Sequence, residues 1–213
     1  MHQQVHILVS LFAIMNPLLS LSYYFNLTKN FNKQQKKTII TVCCFTIFIL
    51  LTASLLFGKD FFDFLDIHSY TLRIGGGVLI LIMGIEIVLK KNEDNKSKEN
   101  FPITYDKNRI LSLGVSPLAI PLIAGPGSIV MMILQSNSST TIYSKLSIIL
   151  MILILCLIIF LMFLLADFIR KFLGDLGILV LTKMLGLFLT ALAFEMIIDG
   201  LKDALPIILE NIK

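Results

Sequence analysis

Apolar residues run along the chain in six continuous stretches: Val5 to Leu27, Thr38 to Gly58, Tyr70 to Leu89, Ile110 to Leu134, Lys145 to Ala166 and Gly177 to Asp199. Each is about as long as the roughly 20 helical residues needed to cross a hydrocarbon core. The runs are continuous and lack the two-residue alternation of membrane strands, so they predict helices and argue against a β-barrel. Between the third and fourth runs lies the one long hydrophilic segment, "KKNEDNKSKENFPITYDKNR", Lys90 to Arg109. Its charge and lack of apolar periodicity read as a mobile cytoplasmic linker. The expected organisation is therefore a first three-span unit over 1–90, a polar linker over 91–109 and a second three-span unit over 110–213.

Composition narrows the class further. The 213 residues are 56% hydrophobic and only 15% charged, with a mean hydropathy of +0.88, whereas a soluble domain carries roughly a quarter charged residues. This predicts an all-α integral membrane protein with no soluble domain between its spans. The opening "MHQQVHILVS" has no Lys or Arg before its apolar stretch, and no small-residue cleavage site follows, so the first span is expected to be retained. The pI near 8.9 does not point to nucleic acid, because the basic residues sit in short loops between spans, where they report orientation. Setting aside Arg73 and Lys183 within spans, twelve fall on one side: Lys29, Lys33, Lys36, Lys37, Lys90, Lys91, Lys96, Lys98, Lys107, Arg109, Arg170 and Lys171. Four fall on the other, Lys59, Lys145, Lys202 and Lys213. The richer side is expected in the cytoplasm, which places both termini outside.

Enzyme chemistry finds no foothold. Cys43, Cys44 and Cys156 lie inside predicted spans without metal-ligand spacing, and His2, His6 and His68 are scattered. No HExxH, P-loop or GxSxG arrangement occurs. Neither a metal, a cofactor nor a catalytic residue is expected; the partners implied are a lipid bilayer and a small solute.

The two halves echo each other. A shift of 109 positions lays Pro17 on Pro126, Lys36 on Lys145, Gly77 on Gly186 and Glu86 on Glu195, and a shift of 110 lays Arg73 on Lys183. Helix breakers and intramembrane charges are scarce in spans, so such matches carry more weight than leucine on leucine. With three spans each, the halves would enter the membrane upside down relative to one another, as two inverted three-helix repeats, a common plan of secondary transporters.

The paired breakers suggest the site. Proline lacks an N–H and clashes with the preceding turn, and glycine tolerates the angles a break demands, yet groups freed in lipid cost several kcal/mol apiece. Asn16-Pro17 and Gly125-Pro126-Gly127 should therefore face protein or a wet cavity. A half-helix start offers free N–H groups to a carboxylate, and a half-helix end offers carbonyls to an ammonium, so two facing breaks could grip a zwitterion. Asn16, Pro17, Gly125, Pro126 and Gly127 are the candidate substrate-binding residues. Pro117 and Pro121, near the span entrance, read as plain kinks.

Apart from the end residues Lys145 and Asp199, four charged residues fall within spans. Arg73 and Lys183 begin theirs, where the choice is between snorkelling to the interface and an ion pair. Glu86 and Glu195 occupy matching places, each near its span's end; a carboxylate so placed is either interfacial or, holding a proton at neutral pH, a coupling group. The candidate coupling ions are a proton or sodium. Gly76, Gly77 and Gly84 read as close helix packing, Asp199 as a cap on the exit of the last span, and Thr190 as bonding back to its own helix.

These residues resemble the MarC family of bacterial multi-pass inner-membrane proteins, which includes small neutral amino-acid transporters. The likeness rests on "MNPL" at Met15 to Leu18, "RIGGGVLILIMGIE" at Arg73 to Glu86, "PLAIPLIAGPGSI" at Pro117 to Ile129 and "KMLGLFLTALAFEMIIDGLK" at Lys183 to Lys202. The resemblance implies six spans in the inner membrane, with the Asn-Pro and Gly-Pro-Gly segments at the centre. The chain departs from the pattern at Leu19, where Gly is frequent, at Ser22, where Pro is, and at Lys183, where Arg is usual. The expected function is secondary transport of a small neutral amino acid such as glycine or alanine. The alternatives are a non-transporting membrane scaffold or regulatory protein, and an exporter of another small metabolite.

Overall fold

The computed structural model describes residues 2–28, 31–89, 107–139 and 141–210, and among these residues there is no strand. In chain order the helices are α1 (His2–Met15), α2 (Pro17–Thr28), α3 (Lys33–Phe64), α4 (Ser69–Leu89) and α5 (Lys107–Leu113). A wide-turned segment, Gly114–Ile123, is followed by α6 (Pro126–Ser138), α7 (Ile142–Leu164) and α8 (Ala166–Glu210). Of the expected linker 91–109, only Lys107, Asn108 and Arg109 are described, and they open α5. Lys29, Lys90, Lys91, Lys96, Lys98 and Lys213 of the charge count lie outside the described residues.

Among the described residues, five segments are long and apolar enough to cross a membrane: Ile7–Phe25, Lys33–Phe64, Ser69–Leu89, Ile142–Leu164 and Leu176–Pro206. The fourth expected run, Ile110 to Leu134, does not wind as one helix; it is divided into α5, the wide-turned segment and α6. The α3 helix begins five residues before its expected start because a capping box forms there. Asn32 Oδ1 accepts from the Gln35 N–H and the Asn32 N–H donates to Gln35 Oε1, both at 2.9 Å. With 32 residues it is about 48 Å long and overshoots a hydrocarbon core. It ends where Asp66 takes a left-handed φ of 56°, which a short polar side chain tolerates.

The main core lies among α1, α2, α3, the wide-turned segment, α6 and α7. It includes Leu11, Met15, Ile47, Leu51, Leu118, Met132, Leu155 and Phe163. Helix α7 shows how a wholly apolar helix is shared between protein and surroundings. Ile148, Ile152, Leu155, Ile159 and Phe163 face inward at helical spacing, while Leu146, Leu150, Leu153, Leu157, Leu161 and Leu164 stand exposed. An outward leucine row of that length suits hydrocarbon and not water. The cysteines Cys43, Cys44 and Cys156 are buried in this core as small apolar side chains.

Helices α4 and α8 form an antiparallel pair with a glycine-lined seam. A Cβ on Gly84 would stand 3.0 Å from the Gly186 carbonyl oxygen, and one on Gly77 would stand 3.0 Å from that of Ala193. From the other side, Gly186 receives Ile87 and Val88, and Gly200 receives Ile74. Small residues let the two backbones approach, the ordinary basis of helix association in lipid. Gly76, the third glycine expected to pack, faces α6 instead and accommodates Val130.

One expectation for the last span needs correction. Asp199 does not cap its exit, because the helix continues to Glu210 and Asp199 instead pairs with Lys202 one turn on, at 3.3 Å. Upstream, the residues from Ala166 wind as a separate stretch of helix that meets the span at a kink at Gly174, with φ 66° and ψ 172°. Thr190 does bond back to its own helix, donating to the Leu187 carbonyl at 2.7 Å. The Gly174 angles belong to a region only glycine enters readily, while nothing lies within 4 Å of a Cβ placed there. Gly174→Ala should therefore lower stability through backbone strain alone, by about 1–3 kcal/mol, read as a lower thermal midpoint of the detergent-purified protein. An unchanged midpoint would show that the bend is not needed.

Candidate functional site

Both breaks turn out to be starts of helices, not interruptions inside them. Pro17 is the first residue of α2 and Pro126 the first of α6. At that position proline's missing N–H removes nothing the helix would have used, and its fixed φ suits the first turn. The expected loss of a helix-interior bond at Pro126 therefore does not occur.

The first junction turns on Asn16. Its φ is 37°, a left-handed angle that asparagine tolerates better than most side chains. Its N–H closes α1, donating to the Phe12 and Ala13 carbonyls at 3.1 Å. Its carbonyl opens α2, accepting from the Leu19 N–H at 3.1 Å and from Ser20 through N–H and Oγ at 3.4 and 3.5 Å. Asn16 Oδ1 completes the cap by accepting from Leu19 N–H at 3.4 Å. One residue thus ends one helix and starts the next. Its amide nitrogen, however, is buried and has no partner, and the whole residue is only 3% exposed. Leaving such a donor unsatisfied costs about 1–3 kcal/mol.

The second junction is longer. Ser116 (φ −136°, ψ 130°) and Ile120 (φ −124°, ψ 124°) are extended, as is Gly125 (φ −80°, ψ 177°). Each precedes a proline, whose ring crowds the preceding residue out of the helical region. Pro117 and Pro121 are therefore more than the plain kinks expected of them. Spaced about one turn apart, they keep neither turn from opening, and the backbone passes through wide turns until Ala124 N–H reaches the Ala119 carbonyl at 2.8 Å. Helix α6 then starts on Gly125, whose carbonyl accepts from Ser128 Oγ at 2.8 Å and from the Ile129 N–H at 3.3 Å. Gly125 brings no side-chain acceptor to the first turn of α6, which so keeps the positive end of its dipole uncapped by side chain.

The two junctions meet. A Cβ on Gly127 would stand 3.1 Å from Cγ2 of Ile14, two residues before Asn16, and 2.8 Å from Cγ1 of Ile80 on α4. Of the five candidate residues, Asn16, Pro17, Gly125 and Gly127 are buried while Pro126 is exposed. Ser20 was not legible as part of the site; a serine one turn beyond an Asn-Pro pair was the available signal.

The four intramembrane charges lie elsewhere. Arg73 Nη1 is 3.3 Å from Asp203 Oδ2 on α8, with side chains 32% and 55% exposed. Lys183 Nζ donates to the Val88 carbonyl at 3.0 Å. These contacts fasten opposite ends of the α4–α8 seam. Asp203 was missed as a partner because it lies beyond the last expected span. Glu86 and Glu195 are both exposed; Glu86 lies six residues past Ile80, about 9 Å along α4.

Comparison with known proteins agrees with an integral membrane protein. The family profile described as "MarC family integral membrane protein" matches residues 1–205. Among curated proteins, the chain is 32% identical over 196 residues to a UPF0056 membrane protein of Methanocaldococcus jannaschii, covering 92% of this chain and 94% of the relative. It is 30% identical over 204 residues to UPF0056 membrane protein YvbG of Bacillus subtilis, covering 96% of each. A UPF0056 membrane protein of Aquifex aeolicus is 29% identical over 197 residues. No solved structure matches.

Proposed function

Since the chain belongs to the MarC family of multi-pass integral membrane proteins, we propose that it is a secondary transporter of small neutral amino acids, of the glycine or alanine class. The observation that carries this reading is the buried, unpartnered amide nitrogen of Asn16, held near the start of α6, where Ile14 of α1 packs on Gly127 and no side chain caps the first turn. A carboxylate resting there would accept from the amide and from the first-turn N–H groups of α6. An ammonium would be held by main-chain carbonyls of the wide-turned segment, where Ser116 and Ile120 leave helical angles. The cap residues Asn16 and Gly125 bear no charge, which favours a solute neutral overall.

The membrane plan that fits is six spans in the bacterial inner membrane, as two inverted repeats, with the fourth span formed by α5, the wide-turned segment and α6. Three features support it. The two junctions share one design, a cap residue before a first-position proline with a serine hydroxyl on the cap carbonyl. They fall at matching places in the two halves, and the third span of each half meets the other in the glycine seam. The basic-residue count favours both termini outside. Coupling would be to a proton or sodium ion, with Glu86 and Glu195 as the carboxylates to test.

Purified protein in liposomes should take up labelled alanine or glycine, and neutral amino acids should raise its thermal midpoint in detergent. Absence of both uptake and stabilisation would overturn transport and leave a membrane scaffold or regulatory protein. Stabilisation only by solutes of another class would identify a different metabolite. Uptake that keeps its pH dependence in Glu86→Gln and Glu195→Gln would remove those carboxylates from coupling.

A further inference from the structure

We infer that Ile80 sets the upper size limit on the solute's side chain. The inference rests on the transport reading above and adds to it the residue that decides which neutral amino acids fit. Ile80 is fully buried, at 0% exposure, in the middle of α4. Its Cγ1 and Cδ1 occupy the notch left by Gly127, at 2.8 and 3.5 Å from where a Cβ would stand. Gly127 is the second residue of α6, so Ile80 rests on the very turn whose N–H groups would hold a carboxylate. Ile14 closes the same notch from α1, two residues from the Asn16 amide.

Ile80 has little freedom to retreat. A β-branched side chain in a helix is nearly confined to one rotamer. The helices that carry it are also interlocked, since Val130 of α6 fills the space over Gly76 of α4 just as Ile80 fills that over Gly127. Behind Ile80 stand Leu189 and Ala193 of α8, both fully buried in the same apolar cluster. A solute lying on the α6 start and the Asn16 amide would direct its side chain toward this wall. A hydrogen or a methyl needs little room, whereas a branched chain would have to displace Ile80.

The test is competition against labelled alanine in liposomes by unlabelled glycine, alanine, valine and leucine. Ile80→Ala should let valine and leucine compete at concentrations at least about tenfold lower than in the unsubstituted protein, the discrimination commonly given by a methylene or two in an apolar pocket. Ile80→Val should shift valine in the same direction by less, and serves if the alanine variant does not fold. Leu55→Ala opens a comparable space in the other apolar cluster, away from Ile80, and should leave the order of competitors unchanged. An unchanged order in folded Ile80→Ala or Ile80→Val overturns the inference, as does equal broadening by Leu55→Ala, which would mean general loosening. If the unsubstituted protein moves no amino acid, transport itself fails; if alanine moves and the series does not shift, only the role of Ile80 fails.

Discussion

Asn16→Gly should yield a folded protein that no longer gains stability from alanine or glycine, and Asn16→Ala should lose stability as well. The two substitutions separate backbone from amide. Glycine enters the left-handed region freely and replaces asparagine at a helix start at a cost of only a few tenths of a kcal/mol. Alanine must hold the φ of 37° against a left-handed penalty of about 1–2 kcal/mol and also forfeits a cap worth about 1 kcal/mol. Asn16→Asp keeps the capping oxygen that accepts from Leu19 but sets a carboxylate where the free N–H₂ stood. It should lower stability, since a carboxylate is costly to bury without a partner, and it offers an anionic solute no donor. Thermal unfolding in detergent, with and without solute, reads all three. Retention of the full solute-dependent rise in Asn16→Gly would rule the amide out as a contact.

Gly84→Ile is expected to be among the most damaging single changes in the protein, while Gly75→Ala, nine residues away on the same helix, should be neutral or stabilising. The difference follows from what each position faces. A Cβ at Gly84 meets Thr190 Cγ2 at 2.8 Å and the backbone of Gly186 and Thr190 at 3.0 and 3.1 Å. Backbone cannot swing aside as a side-chain tip can, so α4 and α8 must part along the seam. Overpacking of a tight core costs about 1–3 kcal/mol, and a parted seam adds the loss of close helix packing. A Cβ at Gly75 meets nothing within 4 Å, so alanine there gains about 0.5–1 kcal/mol of helix preference. Equal thermal midpoints for the two variants would mean that the seam does not hold the fold together.

How much of this could be read from residue order depends on whether the governing rule is local. Proline and glycine act on their immediate neighbours, so the junctions at Asn16-Pro17 and Gly125-Pro126 were legible, as was the helical membrane class from the length of the apolar runs. The same local rule, applied to Ser116 and Ile120, would have revealed that two X-Pro pairs about one turn apart unwind a whole segment and do not merely bend it. The extension of α8 past Asp199 was hidden because the expected span was drawn to the limits of hydrocarbon, and a helix need not stop where lipid does. Longer-range facts left no trace in periodicity. Arg73 finds Asp203 130 positions along the chain, and Ile80 is one aliphatic residue among several in "GGGVLILIMGIE". Which face of α4 meets α6 and which meets α8 is decided by where Gly76, Gly77 and Gly84 find neighbours small or branched enough to fill them.

The two fastenings of the α4–α8 seam are chemically unequal. Arg73 grips a carboxylate that is more than half exposed, an attraction that dissolved salt screens over a Debye length of about 8 Å at physiological ionic strength. Lys183 grips a main-chain oxygen at the end of α4, where it has a dipole for a partner and no mobile counter-charge to lose. Ionic strength therefore acts chiefly on one extremity of this helix pair, and the two bilayer faces hold it with different sensitivity to their electrolytes.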